Sequence, residues 1–204
     1  HRADTAREVG GYDERIRVMI DWNMTRKLAF YGDLLHVQEL TGQQHMPLRD
    51  SDRISYLQRR DDRSYRHNLR LVRADLPPLP WPQVQRVAVL LPVRRWEPAI
   101  LRTVRYLCDE LNYPCEIVLI NRNGRLSTAD CAKQLGELSQ LDNISLLDAP
   151  GATCREACLH AAGQTGADYF YLCSTEANLQ VEMRLIKAIS FMEHSGCECL
   201  RWAE

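Results

Sequence analysis

From residue 87 to residue 194 two kinds of apolar run take turns, and this alternation restricts the chain more than any other feature. Val87 to Val93 (VAVLLPV) is continuously apolar, as a strand buried on both faces must be. Glu97 to Leu111 then opens with Pro98 at a helix start and places Ile100, Leu101, Val104, Leu107, Cys108 and Leu111 on one face. Glu116 to Ile120 (EIVLI) reads as a second strand, Ser127 to Leu138 as a helix capped by Ser127 or Thr128, and Ile144 to Leu147 as a short third strand. Residues 153 to 165 are expected to be helical, Tyr169 to Cys173 (YFYLC) to form a fourth strand, and Val181 to His194 a last helix ending before Gly196. Strands separated by helices of this length are built as βαβ units. The expected fold class is therefore α/β, with a Rossmann-like, mostly parallel sheet and flanking helices over residues 84–204.

The stretch Leu76 to Pro82, LPPLPWP, carries four prolines in seven residues and can be neither helix interior nor central strand. It marks a boundary, with residues 1–75 as a mainly helical or irregular segment and 76–83 as a linker. Lysine plus arginine (26) nearly cancel aspartate plus glutamate (27), so no global field draws in nucleic acid, and any phosphate must be met locally. No apolar stretch is long enough to span a bilayer, and the N-terminal HRADTAREVGG has neither a signal-peptide core nor an initiator methionine. The expectation is a cytoplasmic piece of a longer chain. All eight cysteines (Cys108, Cys115, Cys131, Cys154, Cys158, Cys173, Cys197 and Cys199) fall in the second half, several of them inside hydrophobic segments as small core residues. Cys154, Cys158 and Cys197-x-Cys199, with His160 and His194, raise the question of zinc, but neither spacing is the C-x-x-C of a zinc knuckle.

In a parallel sheet ligands sit beyond the carboxyl ends of the strands, which directs attention to Arg94–Glu97, Asn121–Arg125, Ala149–Thr153 and Ser174–Asn178. None of these loops contains GxGxxG or GxxxxGK[ST], so the glycines of a dinucleotide site or a P-loop are missing. Arg94 and Arg95 follow the first strand and can meet phosphate, although plain surface exposure explains them equally well. The run Arg59 to His67 reads better as a solvated helical face than as a diphosphate clamp, because aspartates interleave it.

Several motifs together bring in a family. The strand ending Leu91-Pro92-Val93, the strand and loop Ile117 to Arg125 (IVLINRNGR), the glycine-led segment from Gly151 and the run Asp168 to Glu176 (DYFYLCSTE) follow one another as in the nucleotide-sugar-binding half of family 2 glycosyltransferases of the GT-A fold, which this half resembles. The resemblance implies nucleotide contacts from Pro92, Val93, Asn121 and Arg155, and a divalent cation, manganese or magnesium, at the DxD position. This chain departs from the family there. Asn121 stands where the family usually has an aspartate, Glu156 where it has an asparagine, and Ser174-Thr175-Glu176 where it has DxD, which leaves Glu176 as the one remaining carboxylate. A cation bridging a sugar diphosphate wants hard, charged oxygens, so its binding should weaken substantially.

The first half resembles the acceptor end of the same family. Gly10-Gly11-Tyr12-Asp13-Glu14 matches its GGFDE segment, Asp21-Trp22-Asn23 its acid-Asp-Trp, and Tyr31-Gly32-Asp33 its later Gly-Asp. By this resemblance Asp21 is the catalytic base that deprotonates the acceptor hydroxyl, Trp22 packs beneath it, and Gly10, Gly11, Asp13 and Glu14 shape the acceptor side. Ile20 occupies a position where the family often has a second acid, and His45 lies near where some members bring a late histidine to the metal, although a plain loop histidine is the simpler reading.

The halves occur in the order acceptor end, then nucleotide end. This is what the junction of a tandem protein would give, the tail of one glycosyltransferase domain followed by the beginning of a second. Pairing of the halves, by circular permutation or as a swapped homodimer, is the other arrangement. The expected partners are a nucleotide-diphospho-sugar donor and a saccharide or glycoconjugate acceptor, with neither nucleic acid nor membrane. A non-catalytic GT-A-like interaction module is the chief alternative. A nucleotidyltransferase would want glycines after the first strand, which Pro92-Val93-Arg94-Arg95-Trp96 lacks.

Overall fold

The structure is a computed structural model that describes residues 3–35, 38, 62–76, 81, 84–111, 113–173 and 182–199. The chain divides into two compact units, His1–Val72 with Pro77–Val84, and Arg73–Leu76 with Gln85–Glu204. Part of the proline-rich linker, His45 and Ser174-Thr175-Glu176 lie outside the described residues.

In the first unit, helix α1 (Ala3–Glu8) ends in a turn through two glycines with positive φ, Gly10 at 81° and Gly11 at 67°. Their N–H groups return to the carbonyls of Arg7 (3.0 Å) and Ala6 (2.9 Å), which closes the helix end as a left-handed cap does. Helix α2 (Ile20–Ala29) follows, and Val9, Met24 and Leu28 form a small core with Tyr31 packed against it. Helix α3 (Asp62–Ala74) contributes Asn68, whose buried amide accepts the Arg17 N–H at 2.8 Å and donates to the Ser64 carbonyl at 2.9 Å. Trp81 stacks on Phe30 with centroids 6.1 Å apart, and the Arg26 guanidinium lies 5.0 Å from the centre of the Phe30 ring. Of the run Arg59 to His67, Arg63, Arg66 and His67 are exposed on α3, and residues 59–61 lie outside the described residues.

The second unit is an α/β layer structure around four parallel strands: β1 (Val87–Val93), β2 (Cys115–Asn121), β3 (Ile144–Asp148) and β4 (Tyr169–Leu172), in the spatial order β3-β2-β1-β4. Helix α4 (Pro98–Glu110) connects β1 to β2, α5 (Thr128–Leu135) and a 3₁₀ turn (Gly136–Gln140) connect β2 to β3, and α6 (Cys154–Gln164) crosses back from β3 to β4. A last helix, α7 (Glu182–Ser195), follows β4. Alternation and order thus agree with the Rossmann-like expectation, and element ends differ from it by only one to three residues. The helix expected over Ser127–Leu138 stops at Leu135, because Gly136 takes up a positive φ of 59° and the chain tightens into the 3₁₀ turn.

Both faces of the central strands are buried, which explains why β1 and β2 read as unbroken apolar runs. Ala88 and Leu90 of β1 and Val118 and Ile120 of β2 form one face, against Ala157 and Ala161 of α6. The small side chains on α6 let that helix lie close to the sheet. Register pairs Ala88 with Phe170 and Leu90 with Leu172, so these two residues of β4 share the α6 face, yet they are 45 % and 59 % exposed. Arg86 fastens the base of the sheet: its backbone N–H and guanidinium both reach Asp168, at 2.9 Å and 3.2 Å. Tyr113 donates to the Gln85 carbonyl at 2.8 Å, and burial pushes its phenol up to about 12.

Candidate functional site

Because the chain runs outward from β1 to β3 and then returns past β1 to β4, the strand order reverses between β1 and β4. The carboxyl edge beside such a reversal is where open α/β sheets bind ligands. Backbone hydrogen bonds tie that edge together. Arg122 N–H donates to the Val93 carbonyl (2.8 Å), and Ala149 N–H donates to the Asn121 carbonyl (2.8 Å), so the ends of β1, β2 and β3 are held level.

Asn121 closes β2 and is only 4 % exposed. Its Nδ2 donates to Asp148 Oδ1 (2.7 Å) and to the Leu126 carbonyl (2.7 Å), while its Oδ1 accepts the Asn123 N–H (3.0 Å). Both amide hydrogens are consumed within the fold, which leaves one lone pair for any ligand. An aspartate there would set its carboxylate against Asp148, the register partner of Asn121 on β3. The amide at 121 is thus what the neighbouring acid demands. The carboxylate of this edge is the exposed Asp148, one strand over, a residue the sequence reading passed by even though it ends its strand as Asn121 ends β2.

Glu156 has an equally local cause. Thr153 caps α6, its Oγ1 accepting the Glu156 N–H at 3.2 Å, and the Glu156 carboxylate accepts the Thr153 N–H and hydroxyl at 2.8 Å each. This is a reciprocal capping box, and the two hydrogen bonds from Thr153 hold the Glu156 carboxyl below the usual carboxylate range. The same device opens α5 with Ser127 and Asp130. Before α6 the chain turns at Gly151, whose φ of 77° suits a residue without Cβ.

Of the other residues that the resemblance assigns to a nucleotide, Val93 is buried and Pro92 half-buried in β1, and Arg155 is exposed in the first turn of α6. Arg122, not singled out from sequence, reaches the loop that precedes α6: its Nε donates to the Ala152 carbonyl at 3.0 Å. Nearby, burial first and the adjacent Cys154 second push the Cys158 thiol up to about 11, with the Arg122 charge opposing them. A thiol held protonated at neutral pH is neither a nucleophile nor a ready metal ligand. None of the eight cysteines is in a disulfide, and among the described residues no three of His, Cys, Asp and Glu gather as a metal site.

In the first unit, Asp21 is exposed in the first turn of α2, where a carboxylate interacts favourably with the helix dipole. Its Oδ1 accepts the N–H of the half-buried Trp22 at 2.9 Å. The backbone just before it is strained: Met19 adopts φ 63°, ψ 29°, a left-handed conformation that costs a side-chain-bearing residue about 1 kcal/mol or more. Ile20 beside it is 40 % exposed. Asp13 is engaged elsewhere, in an ion pair with Arg15 (2.7 Å) whose hydrogen bonds hold its carboxyl below the ordinary range. Glu14 is exposed, while Lys27 is buried and donates from Nζ to the Gly11 carbonyl at 3.1 Å, tying α2 to the glycine turn. In the sequence Arg26-Lys27-Leu28 belongs to the run that resembles the acceptor end of the family, but no role attaches to Lys27 there.

Compared with known protein families, with curated proteins and with solved structures, the chain matches none. No helix among the described residues is long and apolar enough to cross a membrane.

Proposed function

We propose that the chain carries parts of a glycosyltransferase acting on a nucleotide-diphospho-sugar, with an acceptor-side segment in the first unit and a donor-side segment in the second. The observation that carries this reading is the level edge at which Val93, Asn121 and the glycine-led α6 with Arg155 come together beside a strand-order reversal. The family resemblance assigns donor contacts to those positions, and two of the three departures from the family pattern there are accounted for by hydrogen bonds within the fold, Asn121 with Asp148 and Glu156 with Thr153.

The proposed chemistry is an inverting transfer. Asp21 takes the proton of an acceptor hydroxyl, the oxygen forms a bond to the anomeric carbon, and the bond from that carbon to the phosphate oxygen breaks, releasing a nucleoside diphosphate. An exposed carboxylate on the first turn of α2, anchored through the Trp22 N–H, is suited to accept that proton. The test is transfer from uridine- and guanosine-diphospho-sugars to saccharide acceptors by the chain and its Asp21→Asn variant. A loss of about 10²- to 10⁴-fold, the worth of a general base, is expected with the circular dichroism spectrum unchanged; equal rates would remove Asp21 from this role.

A second reading, a non-catalytic interaction module, is favoured by the exposed Phe170 and Leu172 on β4, which has no further strand beside it among the described residues. Absence of transfer together with absence of nucleotide binding would select it.

A further inference from the structure

The carboxyl edge of the sheet collects arginines. Arg94 and Arg95 follow β1, Arg122 and Arg125 follow β2, and Arg155 lies in the first turn of α6. Among the described residues Arg94, Arg95, Arg125 and Arg155 make no ion pair, and all four are exposed. Arg122 is fixed by its bond to the Ala152 carbonyl, which extends it along the edge toward α6.

The acids at the same edge are differently placed. Asp130 and Glu156 are consumed by the two capping boxes, Asp148 takes the Asn121 amide, and Glu97, exposed at the start of α4, is the one acid of these loops without a capping bond among the described residues. The chain as a whole carries a formal charge of −1, so this concentration of unpaired positive charge is local.

The divalent cation that the family resemblance implies does not fit this donor set. Magnesium and manganese are held by charged oxygens, and at the DxD position the sequence offers one carboxylate, Glu176, in place of two, while the Asp148 carboxylate already accepts the Asn121 amide. Guanidinium groups along the edge repel a second cation as strongly as they attract phosphate. They also present forked donors that match phosphate oxygens two at a time.

We propose that this edge binds the diphosphate of its nucleotide through Arg94, Arg95, Arg122 and Arg155, with no divalent cation. The inference rests on the donor-binding reading above and replaces its expected cofactor.

The experiment is a titration of the 204-residue chain with uridine diphosphate, guanosine diphosphate and inorganic pyrophosphate, followed by calorimetry and by melting temperature, once in EDTA and once with manganese. Binding in EDTA is expected, with a Kd changed less than about threefold by manganese. Arg94→Gln and Arg155→Gln, both exposed positions, should each weaken it about tenfold, the worth of one charged hydrogen-bonding group. Binding that appears only with manganese would overturn this inference and leave the donor-binding reading standing. Binding in EDTA that is unchanged in the Arg94→Gln/Arg155→Gln double variant would overturn the assignment of these residues. No binding of any of the three ligands in either buffer would overturn both readings.

Discussion

The two acidic motifs taken from the family resemblance stand in contrasting surroundings. In the first unit Asp21 is the acid that the resemblance would make a base, exposed, at a helix start, behind a strained Met19. In the second unit position 121, where the resemblance would put an acid, holds an amide that is buried and spent on internal hydrogen bonds. The difference teaches that a substitution at a functional position must be judged with its neighbours. Asn121 reads as a lost carboxylate in one dimension and as the partner of Asp148 in three.

That contrast can be broken most severely at Asn121. Asn121→Asp would turn a donor facing Asp148 and the Leu126 carbonyl into a third acceptor, and a destabilisation of about 3 kcal/mol at neutral pH is expected from urea unfolding. The new carboxyl is pushed up in the folded protein, so its relative stability is greatest below the unfolded value of about 4 and is lost as pH rises through the folded one. The penalty should therefore shrink in acid, and a pH-independent penalty would show that Asp148 is not its cause. Lys27→Ala removes the tie to the Gly11 carbonyl and the buried stem, for an expected loss of about 1–2 kcal/mol. An unchanged melting curve would make that bond irrelevant to the glycine turn.

Smaller effects sharpen the same comparison. Met19→Gly relieves the left-handed backbone and should stabilise the first unit by about 0.5–1 kcal/mol. If transfer activity falls while stability rises, the strain serves the placement of Asp21. In the second unit, the Arg86 hydrogen bond holds the Asp168 carboxyl below its usual range. Stability from this pair is present above about pH 4 and lost as pH falls through the depressed folded value. Since both groups are partly exposed, Arg86→Gln should cost less than about 1 kcal/mol at pH 7 and nothing at pH 2, read as the difference in urea midpoints.

By itself the sequence determined the order and kind of the elements in the second unit. Continuous apolar runs and helical spacing are local patterns that burial on two faces or one writes directly into the chain, as Val87–Val93 and Ile100–Leu111 illustrate. The capping boxes at Ser127/Asp130 and Thr153/Glu156 are equally local, since both partners lie within four residues. Only the tertiary structure decided the rest. The partnership of Asn121 with Asp148 spans 27 residues, that of Arg122 with Ala152 spans 30, and that of Asp168 with Arg86 spans 82. These pairs meet because parallel strands bring like ends level, the first two at the carboxyl edge and the third at the amino edge, and no periodicity along the chain encodes which ends become neighbours. Burial of Lys27 and the left-handed Met19 belong to the same class, since each follows from how the first unit closes on itself rather than from the residues beside it.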